Sequence, residues 1–502
     1  MSYLIYCTSA LIIFLSLFYV YAKYKLSYWS RRGVKSPPTT HLLFGNFKDC
    51  LFLKKPPGEV IREIYNSADL DDPYIGFYIF HKPMLLLRDH DLIKQVMITN
   101  FEIFPNRRFG SNNQRDSIGL DSILSIKQPR WRYLRNKLTP FLTGQKLKNM
   151  LPLIEECGKP MLKFIDNLST NKSSQNNCEM KDFSSRYVSD VIASIAFGIS
   201  TNSFDEKMNA FWKNGIKIFQ GIKRAIMFII IFFIPKWYSL TEPFIKEPAK
   251  YFREIFWDSI NTREKMGYKR GDLIDSMLAL KNGKQDPIYK FEADNLVAQL
   301  SSFYIAGFEA VSNIIAFALY HLACHPEHQA TLYNEIQMHV SNKKLTVNLI
   351  NEMSFLDSVI NESLRLHPPL PIVDRIAIRD YELPGTGLII EKDNSIYVSI
   401  NATNQDPKYF SNPHDFIPSR TEIKDKKFYE SLVFGIGPRS CIGQRLALLI
   451  IKVALITILS NYTLHCATDK KLNLNGNDAI HVFTYAADGL YVQFKKRYNA
   501  RE

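Results

Sequence analysis

The sequence predicts a mainly α-helical fold with a minor β part, forming one large domain behind an N-terminal membrane helix. Three observations predict it. Apolar residues recur at helical spacing over much of the chain, most clearly at 151–168, 186–197, 293–324 and 355–366. Strand-like patterns are few and lie towards the two ends. After residue 40 no stretch is long and polar enough to join separate domains; the polar runs 170–177 and 281–286 are short and read as surface loops. With 502 residues, 46% of them hydrophobic, the chain has ample material for a large core.

Residues 3–22 carry no charge and are mostly apolar. At ~1.5 Å per residue they reach roughly 30 Å, the thickness of a bilayer core. No Lys or Arg precedes the run, and it is long for the apolar part of a cleaved signal peptide. Lys23, Lys25, Arg31, Arg32 and Lys35 follow it, which by the positive-inside rule leaves the rest of the protein in the cytosol. Residues 1–22 thus read as a retained anchor, 23–40 as a basic linker stiffened by Pro37-Pro38, and 41–502 as the single large folded domain. The net charge of +14 suits an anionic membrane or an acidic protein partner; no nucleic-acid motif accompanies it, which discounts nucleic acid as a partner.

Next along the chain, 74–80 and 84–87 flank His81-Lys82-Pro83 and read as a hairpin. The apolar run 226–234 is too short to span a bilayer, and Pro235, Lys236 and Trp237 after it suit an interface. It reads as a segment dipping into the same leaflet as the anchor, with a buried core helix as the alternative. The helix at 355–366 stops at His367-Pro368-Pro369, because proline disfavours helix in the residue before it. Near the C-terminus, 481–485 and 490–494 flank Asp488-Gly489 as a second hairpin.

The cysteines Cys7, Cys50, Cys157, Cys178, Cys324, Cys441 and Cys466 are scattered, with no C-x-x-C pair. That is neither a disulfide framework nor a zinc site, and it fits a reducing compartment. Cys441 has special surroundings: Phe434-Gly435-Ile436-Gly437-Pro438-Arg439-Ser440-Cys441-Ile442-Gly443, followed by a helical pattern. A thiol in a glycine-rich turn before a helix N-terminus meets unpaired amides and the positive dipole end, so a depressed pKa and thiolate metal binding are expected. Amide hydrogen bonds would tune the sulfur. Gly437 is expected to supply a positive-φ bend, and Arg439 to pair a carboxylate bidentately.

This run matches the haem-binding signature F-x-x-G-x-R-x-C-x-G of the cytochrome P-450 family at Phe434, Gly437, Arg439, Cys441 and Gly443. Five fixed positions coincide by chance on the order of once in several thousand chains of this length. The resemblance extends from Pro37 to the C-terminal region. Residues 291–309 and 353–369 look most like insect and vertebrate microsomal enzymes that oxidise xenobiotics. It implies the cytochrome P-450 fold, with haem b (iron protoporphyrin IX) between a long distal helix and a proximal loop whose Cys441 ligates the iron. Gly443 would leave room for the porphyrin face. Trp131 and Arg135, in a W-x-x-x-R match, and Arg375, six residues after Pro369, would join Arg439 at the propionates. Glu362 and Arg365, in an E-x-x-R match, would lock with Arg420; Ser419 stands where the family usually has Glu, and Thr421 where it has Phe.

Residues 293–324 resemble the distal helix, with Gly307 permitting close approach of substrate and oxygen and Glu309 matching the acid of the family's acid–alcohol pair. The alcohol, a threonine that helps deliver protons during oxygen activation, is replaced by Ala310. Water or Ser312 could substitute, or a substrate hydroxyl. The remaining possibility is a haem-thiolate isomerase, dehydratase or oxime-processing enzyme that does not use the usual oxygen route. The expectation is monooxygenation of a lipophilic small molecule with a substituted proton relay.

The resemblance also implies an endoplasmic-reticulum anchor with the catalytic domain facing the cytosol. It further implies electrons from NADPH through NADPH–cytochrome P-450 reductase, with cytochrome b5 as a second partner. Lys424, Lys426, Lys427, Arg445 and Lys452, with Arg132 and Lys137, would form a basic docking face. Substrate contacts are expected from 109–123, 211–233, Phe303 and Ala306, 371–373 and 484–487.

Overall fold

A largely apolar helix, α1 (Ser2–Leu26), charged only at Lys23 and Lys25 in its last turn, opens the chain in the computed structural model, which describes residues 2–38, 40–109, 117–170, 177–243, 245–340, 343–420, 425–467 and 481–497. The apolar span of α1 is packed against almost nothing and is long enough to cross a membrane. Near its end, the Phe18 and Tyr21 rings meet His81 edge-on at 5.8 and 5.6 Å. The basic stretch that follows is anchored to the body by Trp29, which is fully buried. Its Nε1 donates to the Phe77 carbonyl at 3.2 Å, and its ring fills the space over Gly76, where a Cβ would lie 2.4 Å from it.

Beside Trp29 lies a four-stranded sheet. β1 (Tyr74–Ile79) and β2 (Lys82–Leu87) form the expected hairpin, with Tyr74 opposite Leu87. A short pair, β3 (Cys178–Glu179), comes later in the chain, and then β4 (Ile372–Ile376) and β5 (Ser395–Ser399). β5 runs parallel to β2 and antiparallel to β4, giving the order β1-β2-β5-β4. All five residues of β5 are buried, as a central strand covered on both faces requires.

Around the sheet the molecule is helical: α2 (Arg130–Leu138), α3 (Gly144–Thr170), α4 (Met180–Phe197), α5 (Ile222–Phe233), α6 (Ala293–Cys324), α7 (Ser354–Leu366) and α8 (Gln444–Asn461). α6 packs along α4 and also meets α7 and α8. Both α6 and α8 are long and apolar enough to span a bilayer, but most of each is buried in the core. α3 begins earlier than its periodicity suggests and continues through Pro152 and Pro160.

Two expectations are corrected. The run 226–234 is mainly a core segment: Met227, Phe228, Ile229, Ile231, Phe233 and Ile234 are buried. Its aromatic rings meet Phe109, Phe219 and Phe483, and that packing decides the matter. The outward residues are Ile222 and Ile226, then Trp237 and Leu240 beyond the helix. At the C-terminus, 481–485 is not a strand. The strand is β7 (Tyr491–Lys496), and its partners are β6 (Tyr462–Cys466) and β3. Thr484 instead donates its amide to the Pro369 carbonyl at 3.1 Å and accepts from Asn313 Nδ2 at 2.9 Å, so this backbone is satisfied without a ladder.

Candidate active site

The loop before α8 turns through Gly435 and Gly437, both at φ +77°. Gly437 has no room for a side chain: a Cβ would lie 2.0 Å from the Met97 carbonyl oxygen. The loop is closed by the Cys441 amide donating to the Phe434 carbonyl at 2.7 Å and the Ser440 amide donating to the Gly437 carbonyl at 3.0 Å. Phe434 packs half-buried at the edge of the main core. The Cys441 sulfur accepts hydrogen bonds from the Gly443 and Gln444 amides, with the charges of Arg135 and Arg107 nearby. It is accessible although protein surrounds it, so it faces an internal slot. A Cβ on Gly443 would meet only that sulfur, at 4.0 Å.

Burial nevertheless pushes the Cys441 thiol above its ordinary pKa, against the pull of the amides and guanidiniums. This corrects the expected depression. The sequence displays the donors but not the depth, and depth wins until a cation meets the sulfur.

Around the slot the fold gathers Arg107, Arg135, Arg375 and Arg439. Arg135, on α2, donates from Nη1 to the Ser440 carbonyl at 2.7 Å. Arg439 lies 4.2 Å over the ring of the buried Trp131 and donates from Nε to Pro105 and from Nη2 to Ile126, both backbone carbonyls. With those nitrogens engaged, the bidentate pairing expected of Arg439 is replaced by a stacked, backbone-held guanidinium. Arg375, on β4, donates from Nη1 to the Asp374 carbonyl at 2.7 Å, while its buried Nε has no partner, like Nε of Arg107. Burial, then mutual repulsion, pushes Arg439 down to about 8 and Arg375 down to about 9. Asp374, itself raised by burial, is the carboxylate that faces them.

Orphaned guanidinium nitrogens and suppressed cations mark a place for a dianion. An accessible sulfur and an open glycine face lie beside it. The donor set therefore fits haem: iron at the sulfur, porphyrin over Gly443, and two propionates among the arginines. Arg107 was not anticipated; its only sequence signal is the Arg107-Arg108 pair before Phe109.

On α6, between Leu296 and Tyr320, only Phe303, Ala306, Gly307 and Ala310 escape burial. At about 100° per residue these positions form one stripe. Glu309 and Ser312 lie off it, and Ser312 is nearly opposite Ala310. The Lys181 ammonium of α4 binds both, 3.0 Å from Glu309 Oε1 and donating to Ser312 Oγ at 2.7 Å. Ser312 in turn donates to the Phe308 carbonyl at 2.5 Å. The structure thus places Gly307 and Ala310 together and sets the expected acid and the spare hydroxyl on another face.

Glu362 sits between two arginines, 2.8 Å from Arg365 Nε and 2.9 Å from Arg420 Nε. All three side chains are at most 7% exposed, which makes this a buried triad rather than a surface pair. Arg365 also donates to the Asn404 and Pro413 carbonyls, and Arg420 to those of Asn412 and Asp415. Of the expected basic face, Lys427 and Arg445 are exposed, Arg132 pairs with Glu102, and Lys426 lies 3.8 Å from Glu430. Lys137 rests over the Tyr133 ring. Lys452 is corrected: it is buried and bound to Asp357 at 2.7 Å. Lys424 and residues 110–116 of the expected substrate loop lie outside the described residues.

The family model described as Cytochrome P450 matches residues 36–490. Cytochrome P450 6k1 of Blattella germanica is 34% identical over 482 residues, 91% of this chain and 90% of that protein. Probable cytochrome P450 6g2 of Drosophila melanogaster is 34% identical over 496 residues, covering 93% and 94% respectively. Cytochrome P450 9e2 of Blattella germanica is 32% identical over 480 residues, covering 89% and 90%.

Proposed function

The chain belongs to the cytochrome P450 family of haem-thiolate monooxygenases, and from that premise we propose that it is a membrane-bound enzyme that inserts one oxygen atom into lipophilic small molecules. The observation that carries this is the accessible Cys441 sulfur in a slot ringed by arginines with orphaned nitrogens. Haem bound there supplies the activation of O2. Cys441 holds the iron, while Gly443 admits the macrocycle. Arg107, Arg135, Arg375 and Arg439 neutralise the propionates, and Trp131 supports Arg439 from below. The Glu362–Arg365–Arg420 triad keeps the supporting helix and its connection in place rather than taking part in chemistry.

Protons must reach the oxygen side without the family threonine. Lys181 occupies Ser312 and Glu309, and Ser312 points away from Ala310. The substitute in this reading is therefore water, or a hydroxyl of the substrate, held beside Ala310 and Gly307. Ala310 also supports a second reading, a haem-thiolate isomerase or dehydratase. Turnover without NADPH would favour that one. Product formed in step with NADPH consumption supports oxygenation, and hydrogen peroxide as the dominant product with every substrate tried opposes it.

Electrons come, in this reading, from NADPH through its cytochrome P450 reductase, with cytochrome b5 as a second donor. The exposed Lys427 and Arg445 near the cysteine loop are the cations available to an acidic face. The same reading places α1 in the endoplasmic-reticulum membrane with the body in the cytosol. Exposed Leu43, Phe52, Trp237 and Leu240 then rest on the bilayer surface.

The decisive measurement is the difference spectrum of the reduced, carbon-monoxide-bound protein. Thiolate ligation gives a strongly red-shifted Soret band. Cys441→Ser should abolish that band; an unchanged pigment and spectrum in this variant would remove the reading.

A further inference from the structure

Beside the slot, residues 105–108 thread between the cysteine loop and β4. On the loop side, Arg439 donates from Nη2 to Asn106 Oδ1 at 3.4 Å, and Arg107 Nη2 donates back to the Arg439 carbonyl at 3.4 Å. On the strand side, the Ile376 amide donates to the Asn106 carbonyl at 2.9 Å in an isolated antiparallel bridge. That register sets Arg108 opposite Asp374, and the buried Asp374 carboxylate accepts from the Arg108 amide. The Arg108 guanidinium is led elsewhere, with Nε donating to the Phe233 carbonyl and Nη1 to Ser395 Oγ, both at 3.1 Å. Of the two adjacent arginines, Arg107 therefore serves the cofactor cradle, and Asp374 is fastened one residue away from it. When haem is bound, its two propionates and Asp374 bring three negative charges to the four guanidiniums of Arg107, Arg135, Arg375 and Arg439. The cradle then keeps an excess of positive charge, in an interior where charges are weakly screened.

We propose that Asp374 and Arg107 set the haem's reduction potential in opposite directions, Asp374 lowering it and Arg107 raising it. The inference rests on haem binding at Cys441. An electron from the reductase adds one negative charge to the cofactor, and no bond forms or breaks. Buried cations beside the propionates stabilise that charge, and a buried carboxylate opposes it. Neither residue needs to touch oxygen or substrate. Asp374 is a positioning residue: it holds the 105–108 segment by the Arg108 amide, and its charge acts on the iron across the cradle. Arg107 acts through the same field with the opposite sign. The balance between the two governs how readily the enzyme accepts its first electron.

The test is the midpoint potential of the full-length, substrate-free holoenzyme, measured by spectroelectrochemical titration. Asp374→Asn removes the charge but keeps an acceptor for the Arg108 amide, and its midpoint should rise. Arg107→Gln should lower the midpoint, while Arg107→Lys, which keeps the charge, should stay near the unsubstituted value. Each shift should be on the order of tenfold in the ferrous-to-ferric ratio at a fixed applied potential, about 59 mV for one electron. Arg132→Gln removes an exposed cation paired with Glu102 and should move nothing. General loosening of the cradle would shift Asp374→Asn and Arg107→Gln the same way, and that result would overturn the proposal. So would an unmoved midpoint in Asp374→Asn, as a carboxyl already neutral would give, or an equal shift in Arg132→Gln. If Asp374→Asn fails to hold haem, the Gln and Lys variants of Arg107 decide the matter by themselves. The red-shifted carbon-monoxide band is recorded for every sample. Its absence from the unsubstituted protein would remove haem binding at Cys441 and this proposal together; an intact band with unmoved potentials would remove this proposal alone.

Discussion

Gly437 and Gly443 flank Cys441 closely yet do opposite jobs. A methyl at Gly437 adds a positive-φ penalty of about 1–2 kcal/mol and forces the Met97 carbonyl away. Gly437→Ala should therefore lower the melting temperature whether or not haem is bound. A methyl at Gly443, where φ is −88°, meets no clash within the protein. Gly443→Ala should keep the melting curve of the haem-free chain and lose pigment on gel filtration. Equal behaviour of the two variants would contradict this division. The cysteine loop was legible because its glycines, its cysteine and the following helix are contiguous. Arg107 was not, because a single loop arginine has no periodicity and earns its place only by where the chain brings it. The direction of the thiol pKa was misread for a related reason: neighbours are written in sequence, and depth is not.

At the scale of elements, α7 joins the triad at Glu362 and Arg365 to a histidine pair at its end. Glu362→Gln should cost about 3–5 kcal/mol, since it leaves two buried guanidiniums without their carboxylate. Urea unfolding followed by fluorescence would measure it; a loss below about 1 kcal/mol, the usual value of a surface pair, would show that the triad is not buried in solution. His367 Nε2 lies 2.7 Å from His321 Nε2, and each ring stacks on a phenylalanine, Phe317 or Phe416. Burial, with His325 and Arg365 nearby, pushes His321 down to about 3; burial also lowers His367. In the folded state these rings stay neutral where the unfolded chain takes up protons. Stability is thus full above about pH 6.5 and falls as pH drops from there towards 3, by roughly 2 kcal/mol at pH 5 for His321, with His367 adding in the same direction. Unfolding midpoints at pH 7.5 and 5 should differ accordingly, and His321→Asn should flatten the slope. The helices α4, α6 and α7 were readable because their apolar spacing is strong. The false C-terminal hairpin arose because an alternating run before an Asp-Gly turn looks like a strand. Its actual hydrogen bonds, to Pro369 and Asn313, come from residues far away in sequence.

For the whole molecule, two attachments to the bilayer are predicted, and they are separable. Deleting residues 2–26 should leave a chain that still co-floats with vesicles at low salt through Trp237, Leu240, Leu43 and Phe52. Adding Trp237→Ser and Leu240→Ser should release it; unchanged flotation would sink the second attachment. The large core and single-domain organisation followed from composition and the lack of internal linkers. The embedding of Trp29 did not, because a tryptophan among tyrosines and cations gives no sign of the cavity it enters. That side chain has a practical consequence for anyone trimming the protein. A soluble version begun at Tyr28 keeps the plug over Gly76. One begun at Ser36 opens a tryptophan-sized hole behind the hairpin, losing about 3–5 kcal/mol if the gap does not collapse. The safe place to cut lies within a handful of residues, and it is set by the back of a sheet rather than by the end of α1.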